Sequence, residues 1–343
     1  MRRVATCLLA VLVLFAALAA ATLSSSSADI TSRAAFAAWA TKFGKVYADD
    51  AAREAAYGRY MAAAQALEET RRRNPLARFE LTARADAKPA LFRNAKLAEP
   101  IRHRGNAARA RRSTVGEAPS ALDWRLREAV APVPNMGQCG GACVTFVYSG
   151  IGAAINRIRG YSAELTPLSA QQPLDCDVTQ ECGCDEGCML DAPYRTLAAN
   201  GGAWDTAASY PYTDGSAMPH TCAERDSDMV VGGRIRGIQM LPKHSEGALV
   251  NALMENPVGV TVYSIRWDYY TGGVMTDCGS GANDNAALLV GYNDTAPTPY
   301  WIVRSNWGAD WGEDGYIYIS KGNNTCGITD APFTLAMEPI PQA

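Results

Sequence analysis

The chain has 343 residues, of which 48% are hydrophobic and 20% charged, a balance typical of a folded globular protein rather than a disordered or collagen-like one. The formal net charge of −3 hides an uneven distribution, because residues 1–117 carry 20 Lys/Arg against 10 Asp/Glu and residues 118–343 carry 12 against 25. The acidic main part argues against a nucleic-acid partner, and the basic leader is expected to be attracted to it.

The first 21 residues are typical of a secretory signal peptide. Arg2 and Arg3 precede an apolar run from Val4 to Leu18, and Ala19–Ala21 offer small residues for cleavage. The run is too short for a comfortable membrane span, so we expect cleavage and no membrane contact afterwards. The predicted location is the secretory pathway, ending in a lysosomal/endosomal or extracellular compartment, where disulfides persist.

Residues 22–117 form a predicted leader. Large side chains recur at spacings of three and four within the Ala-rich residues 30–75, which predicts amphipathic helices. These side chains are Phe36, Trp39, Phe43, Tyr47, Tyr57, Tyr60 and Leu67. Residues 93–119 are interpreted as a basic linker, and residues 107–113 (Ala-Ala-Arg-Ala-Arg-Arg-Ser) as a readily cleaved site within it. We place the start of the main domain, residues 118–343, at Ala118.

Nine cysteines remain after the signal peptide, and an odd number leaves at least one unpaired. They are Cys139, Cys143, Cys176, Cys182, Cys184, Cys188, Cys222, Cys278 and Cys326. Zinc binding is disfavoured, because the nearest histidine to the central cluster is His220 and the compartment favours oxidation. We therefore predict no metal and no other cofactor.

A loop runs into a helix at residues 132–146, which read Pro-Val-Pro-Asn-Met-Gly-Gln-Cys-Gly-Gly-Ala-Cys-Val-Thr-Phe. Pro and Gly crowd its first half, and no proline follows from Ala142 to Ile158, so a helix is predicted to end near Gly160. A thiol at this junction lies at the positive end of the helix dipole. Its pKa should therefore fall modestly below the ordinary value of about 8.5.

This segment resembles the active-site motif of the papain family, in particular its cathepsin L-like peptidases, Pro-Val-x-Asn-Gln-Gly-x-Cys-Gly-Ser-Cys-Trp-Ala-Phe. Residues 168–177, 183–187 and 209–212 resemble later motifs of that family. Residues 36–47 and 85–92 resemble the opening and the end of its inhibitory pro-region. The resemblance implies an α+β, papain-like two-lobed fold, with a helical lobe and a β-barrel-like lobe preceded by a helical pro-region. It also implies a zymogen whose cleft binds a peptide or protein ligand and its own pro-region.

Short β-rich runs between turn residues predict the strands of the second lobe. The runs are Val230–Met240, Pro257–Val262, Ala286–Tyr292, Tyr300–Val303 and Gly315–Ile319.

By resemblance, three catalytic positions are substituted. Met136 stands at the position of the oxyanion Gln. Residues 284–292 (Asp-Asn-Ala-Ala-Leu-Leu-Val-Gly-Tyr) place Asn285 at the catalytic His, and an amide cannot titrate as a base. Residues 304–316 (Arg-Ser-Asn-Trp-Gly-Ala-Asp-Trp-Gly-Glu-Asp-Gly-Tyr) place Ser305 at the orienting Asn. Asn306 follows one residue later, and in a strand it would point to the other face. His103, His220 and His244 are interpreted as surface residues.

Two alignments of the cysteine loop are open. Counting from Cys139 without a gap puts Ala142 at the nucleophile position, whereas one inserted residue puts Cys143 there. The resemblance pairs Cys139 with Cys184, Cys176 with Cys222, and Cys278 with Cys326. Cys182 and Cys188 then lie close enough in one loop to bond, and Cys143 remains unpaired as the candidate nucleophile.

The resemblance also assigns a peptide-binding cleft, and the sequence contains two glycosylation sequons. The cleft residues are Glu186, Gly187, Thr261, Asp284 and Trp307, and the sequon asparagines are Asn293 and Asn323.

We interpret the chain as a catalytically impaired or inactive papain-like cysteine peptidase, acting as a peptide-binding decoy or regulator. The alternative is an active endopeptidase that uses Cys143. A third hypothesis is a structural or storage protein without a peptide ligand.

Overall fold

The computed structural model describes residues 30–87, 94–98, 117–184, 187–213, 221–223 and 229–340. The expected signal peptide, the cleavage site at residues 107–113, Glu186, His103 and His220 lie outside these residues. The chain divides into two units. One comprises the residues up to Glu68 together with Ala83–Ala87, and the other comprises Glu69–Thr82 and Lys88–Ala343.

The first unit is built on two helices, as the spacing of its large side chains predicts. They are α1 (Arg33–Lys42) and α2 (Asp50–Arg73). The end of α2, from Glu69 onward, belongs to the second unit. Ser32 caps α1 by accepting a hydrogen bond from the amide of Ala35 at 3.0 Å. The ring of Phe36 lies within 6.0 Å of the rings of Trp39, Tyr47, Tyr57 and Tyr60, and of these five residues Phe36, Trp39 and Tyr60 are buried in the core of this unit.

The second unit contains a ten-stranded sheet and a separate two-stranded hairpin, β3–β4. The sheet order is β1-β8-β11-β10-β9-β7-β12-β6-β5, and β2 also pairs with β9. The strands are β1 (Ala77–Phe79), β2 (Ala121–Asp123), β3 (Cys182–Gly183), β4 (Gly187–Cys188), β5 (Ala203–Asp205), β6 (Val231–Met240), β7 (Val258–Val262), β8 (Tyr270–Met275), β9 (Asn285–Asn293), β10 (Tyr300–Arg304), β11 (Tyr316–Ser320) and β12 (Phe333–Glu338).

The helix predicted after the glycine-rich loop is present and forms the centre of the second unit. It is α3 (Ala142–Ile158), and Val144, Val147 and Ile151 are fully buried along it. Its glycines allow close packing, since a Cβ on Gly150 would lie only 2.7 Å from the guanidinium of Arg304. The other helices are α4 (Gln172–Asp175), α5 (Ala192–Ala199) and α6 (Glu246–Leu253), with 3-10 turns at Ala95–Ala98, Trp124–Arg127, Trp267–Tyr269 and Thr325–Gly327. Within the described ranges no helix combines the length and apolar character that a bilayer span requires.

The five predicted strands are confirmed, and each boundary moves by at most one residue. Two long strands of the sheet were not predicted. β8 contains Gly272 and Gly273, which weaken a strand pattern, and β12 is a short run whose alternation is faint in the sequence. The leader also contributes a strand, because β1 pairs antiparallel with β8, with Ala77 opposite Gly273.

Four disulfides cross-link the second unit. They join Cys139 to Cys184, Cys176 to Cys222, Cys182 to Cys188 and Cys278 to Cys326, with Cα–Cα distances of 4.2, 4.5, 3.9 and 5.1 Å. These are the pairs that the sequence analysis expected, including the one between Cys182 and Cys188. Cys143 is the free cysteine of the described residues.

Candidate active site

Cys143 is the second residue of α3, and its thiol is completely buried. Burial raises its pKa to about 11, although hydrogen bonds from the backbone of Ala286, from the side chain of Asn94 and from the backbone of Val144 favour the thiolate. The expected modest lowering of the pKa by the helix dipole is therefore wrong. The cost of removing the thiolate from water exceeds the stabilisation by these three hydrogen bonds.

The contact between Cys143 and the backbone of Ala286 places the thiol at the start of β9. This is the strand on which the family motif puts its base. The placement supports the alignment with one inserted residue, in which Cys143 rather than Ala142 takes the nucleophile position.

Asn285 opens β9 opposite Val262, next to the residue that contacts the thiol. Its side chain is 1% exposed, and neither its Oδ1 nor its Nδ2 has a hydrogen-bond partner among the described residues. His244 is the histidine within the described ranges. Its side chain is 71% exposed, and its Nδ1 lies 3.4 Å from Asp330. The described residues therefore bring no imidazole to Cys143.

Met136 is fully buried, and its backbone is fixed on both sides. Its N–H donates to the carbonyl of Asn306 at 2.9 Å, and its carbonyl accepts from the hydroxyl of Tyr212 at 2.8 Å. A thioether has no hydrogen to donate, so this position offers nothing to a developing oxyanion. The backbone N–H of Cys143 is itself directed at the carbonyl of Gly140, at 3.4 Å.

Ser305 and Asn306 follow the end of β10 at Arg304, where the alternation of a strand no longer fixes side-chain direction. The expectation that Asn306 points away from the site is therefore wrong. Its Nδ2 donates to the carbonyls of Ala286 at 3.0 Å and Cys143 at 3.3 Å. Ser305 is buried, and its hydroxyl accepts from the amide of Trp307 at 3.1 Å.

Asn94 covers the thiol, although its place in the sequence indicates only the basic linker. In the structure it precedes a 3-10 turn of the second unit. Its Nδ2 lies 3.7 Å from the Sγ of Cys143 and 2.7 Å from the carbonyl oxygen of Cys188. A single asparagine among small and basic residues carries no periodic or motif signal that could have identified it.

Two of the expected cleft residues adjoin this asparagine. The carbonyl of Asp284 accepts from the amide of Asn94 at 2.6 Å, while its carboxylate accepts from the amide and hydroxyl of Ser264. Gly187 begins β4 with φ +84°, a backbone conformation that favours glycine. It immediately precedes Cys188.

The other two described candidates are engaged within the protein. Trp307 is buried, with its ring centroid 6.1 Å from that of Trp267 and 5.1 Å from that of Trp311. Thr261 is buried in β7, and its hydroxyl accepts from the side chain of Asn283 at 2.8 Å.

The two sequons differ in their surroundings. Asn323 is exposed, whereas Asn293 is half-buried and its Oδ1 accepts hydrogen bonds from the amide and hydroxyl of Thr295. Across the ranges the structure describes, no group of three His, Cys, Asp or Glu side chains is arranged to hold a metal ion.

Comparison with known proteins identifies the family. Residues 118–336 match the model of the papain family of cysteine proteases. The chain is 36% identical over 328 residues to a cysteine proteinase of Trypanosoma brucei brucei, covering 93% of this chain and 70% of that protein. It is 33% identical to cysteine proteinase B of Leishmania mexicana, covering 96% of this chain and 75% of that one.

The structural neighbours include proforms. A recombinant stem bromelain precursor superposes with a TM-score of 0.72 at 25% identity, covering 88% of this chain and 98% of that one. The digestive procathepsin L2 proteinase of Tenebrio molitor larval midgut has the same fold, with a TM-score of 0.74 at 23% identity over 88% of this chain and 98% of its own. With its α+β fold and its family match over most of the main domain, this chain belongs to the papain family of cysteine peptidases.

Proposed function

We propose that this chain is a papain-family pseudo-peptidase, in which the peptide-binding cleft persists and the chemistry has been lost. The observation that carries the proposal is Asn285, an amide at the start of β9 beside the residue that contacts Cys143. A thiol protease needs a group that takes the proton from the thiol and returns it to the leaving amine. A carboxamide can do neither at any ordinary pH.

Two further features support the loss of activity. The pKa of Cys143 is raised to about 11, so the nucleophilic thiolate is scarce near neutral pH. Met136 removes one oxyanion donor, and the loss of a single such donor costs about 10²–10³ in rate. Losses within one catalytic unit are not additive, but each of these alone is severe.

The biological role that we propose is that of a decoy or regulator that binds extended peptides. The chain would be made in the secretory pathway as a proform and act in a lysosomal/endosomal or extracellular compartment. The basic leader, the four disulfides and the proform neighbours support this setting. Of the two sequons, we propose the exposed Asn323 as the glycan acceptor.

Turnover of a dipeptidyl fluorogenic amide tests the proposal, measured on the full chain before and after limited proteolysis of the leader. We expect no hydrolysis above that of a Cys143→Ala variant. A triple variant with Met136→Gln, Asn285→His and Ser305→Asn should gain hydrolysis that a thiol reagent abolishes. Hydrolysis by the unsubstituted chain that Cys143→Ala removes would overturn the proposal.

That outcome would favour the second candidate, an active cysteine endopeptidase with Cys143 as nucleophile. One observation supports it, since Cys143 is a free thiol in the first turn of α3 beside β9. It still requires a base that the described residues do not supply.

A further inference from the structure

The side-chain amide of Asn94 forms two hydrogen bonds with the backbone of Cys188, one accepted and one donated, as the peptide groups of a neighbouring β-strand would. Its Oδ1 accepts from the amide of Cys188 at 3.0 Å and from the amide of Lys96 at 3.1 Å. Its Nδ2 donates to the carbonyl of Cys188 at 2.7 Å and lies 3.7 Å from the Sγ of Cys143. The oxygen therefore has two donors and the nitrogen two acceptors, which is the full capacity of a carboxamide.

A disulfide and a helix hold the residues that make these contacts. Cys188 is fully buried and is joined to Cys182, the residue directly opposite it in the β3–β4 hairpin. Cys143 is fixed in the first turn of α3. The backbone of Asn94 is held separately, because its N–H donates to the carbonyl of Asp284 at 2.6 Å. Asn94 is therefore attached twice, through its side chain to Cys188 and through its backbone to Asp284.

A carboxamide satisfies this arrangement with one donor and one acceptor, and it needs no change of protonation to do so. An ionised aspartate of the same shape would accept from the amide of Cys188, but its second oxygen would face the carbonyl oxygen of Cys188 without a hydrogen between them. A leucine side chain would leave both the backbone N–H and the backbone C=O of Cys188 without a partner. A lysine ammonium group could donate to the C=O of Cys188, but it would leave the N–H of Cys188 without an acceptor. The preference for a carboxamide arises because the backbone N–H and the backbone C=O of Cys188 both face the side chain of Asn94.

We propose that the backbone of Cys188 and the thiol of Cys143 form a subsite that recognises an asparagine side chain. The ligand class is a peptide that presents asparagine at this point, and Asn94 is the intramolecular occupant that such a peptide replaces. This inference rests on the proposed function, since it names the ligand of the same cleft.

The first test uses the full chain and the rate at which N-ethylmaleimide modifies Cys143 at pH 7.5. Asn94→Ala removes the carboxamide that covers the thiol, and the gain in access should raise the rate at least about tenfold above that of the unsubstituted chain, even though one hydrogen bond to the thiolate is lost. Asn94→Asp adds a negative charge beside the thiolate as well, so its rate should be lower than that of Asn94→Ala. Asn251→Ala is the matched control, because Asn251 is exposed on α6, and it should leave the rate unchanged. If Cys143 were protected in the Asn94→Ala chain as well as it is in the unsubstituted chain, the inference would be overturned.

The second test adds an external peptide to the Asn94→Ala chain. The probe is the acetylated, amidated hexapeptide of residues 92–97, Phe-Arg-Asn-Ala-Lys-Leu. It should slow modification of Cys143, and versions with Asp or Leu in place of Asn should need at least about tenfold higher concentration for the same effect. Equal protection by the three peptides, or protection by none, would overturn the inference. If Asn94→Ala does not fold, the isosteric Asn94→Asp chain receives the peptides instead.

Fluorogenic turnover measured on the same samples separates this inference from the proposed function. Turnover together with discrimination for asparagine would overturn only the pseudo-peptidase proposal. Absence of turnover with no discrimination would overturn only the asparagine subsite.

Discussion

The side chain of Asn306 donates a hydrogen bond to the carbonyl oxygen of Ala286 at 3.0 Å, which ties the loop after β10 to the start of β9. The same nitrogen lies 3.3 Å from the carbonyl oxygen of Cys143, so it also reaches the first turn of α3. Asn306 thus joins the three segments that meet at the candidate site. It acts on the backbone of these segments, whereas the family's orienting asparagine acts on an imidazole.

Replacement of Asn306 by alanine should therefore destabilise the fold. Asn306 is fully buried, so the substitution leaves the carbonyl of Ala286 without this donor and opens a small cavity. We expect the free energy of unfolding to fall by about 1–3 kcal/mol, measured by urea denaturation. Asn251→Ala, on the exposed face of α6, should change it by no more than about 0.5 kcal/mol. Equal effects of the two substitutions would show that the Asn306 contacts contribute little.

The reactivity of Cys143 should rise only in alkaline solution. Burial raises its pKa to about 11, so the thiolate is lost as the pH falls below that value. At pH 7 only about one thiol in ten thousand is ionised, and the iodoacetamide rate should climb roughly tenfold per pH unit from pH 6 to pH 10. Mass spectrometry of the peptide that contains Cys143 measures this alkylation rate at each pH. A plateau below pH 7 would reveal a thiolate stabilised by a cation and would contradict the assigned environment.

Met136→Gln should lower stability and should not restore activity by itself. The Met136 side chain is fully buried and only its backbone is hydrogen-bonded, so a glutamine amide there would lose its water without gaining a partner. We expect a loss of about 1–3 kcal/mol in the free energy of unfolding, measured by urea denaturation. Met136→Leu preserves volume and apolar character and should cost less than about 1.5 kcal/mol. A glutamine variant as stable as the original chain would show that the amide finds a partner.

Much of the fold could be predicted because strong local patterns agree with it. The helix after the glycine-rich loop has no proline, and its small and apolar side chains suit a position where nearly every residue is buried. The strands rich in β-branched and aromatic residues were predicted to within one residue. β8 was missed because Gly272 and Gly273 interrupt it. Its pairing with β1 depends on a segment nearly 200 positions away, and no local pattern encodes such a contact.

The chemistry of the site was harder to predict than its residues. The motif that contains Asn285 was sufficient to predict where Asn285 lies. The pKa of Cys143, in contrast, depends on burial, which is a property of the folded protein. The direction of the Asn306 side chain depends on β10 ending at Arg304, two residues before it. Asn94 could not be found at all, since its role depends on where a short 3-10 turn docks.

Asn74 attaches the leader segment Glu69–Thr82 to the residues that follow β8, and its loss should loosen this edge of the sheet. Its buried Oδ1 accepts from the amides of Thr276 and Asp277 at 2.8 and 2.7 Å, and its Nδ2 donates to the carbonyl of Asp277 at 2.9 Å. Asn74→Ala leaves these backbone groups unpaired, which should cost about 2 kcal/mol or more. Hydrogen exchange should accelerate at the backbone amides of Thr276 and Asp277 and then at those of β1.

Arg73→Ala is the matched control, because Arg73 contacts the same Asp277 through an exposed ion pair at 3.4 Å. Since exposed pairs contribute little, this control should leave both stability and exchange nearly unchanged. If Arg73→Ala loosened the edge as much as Asn74→Ala did, surface charge rather than the buried carboxamide would hold the leader segment in place.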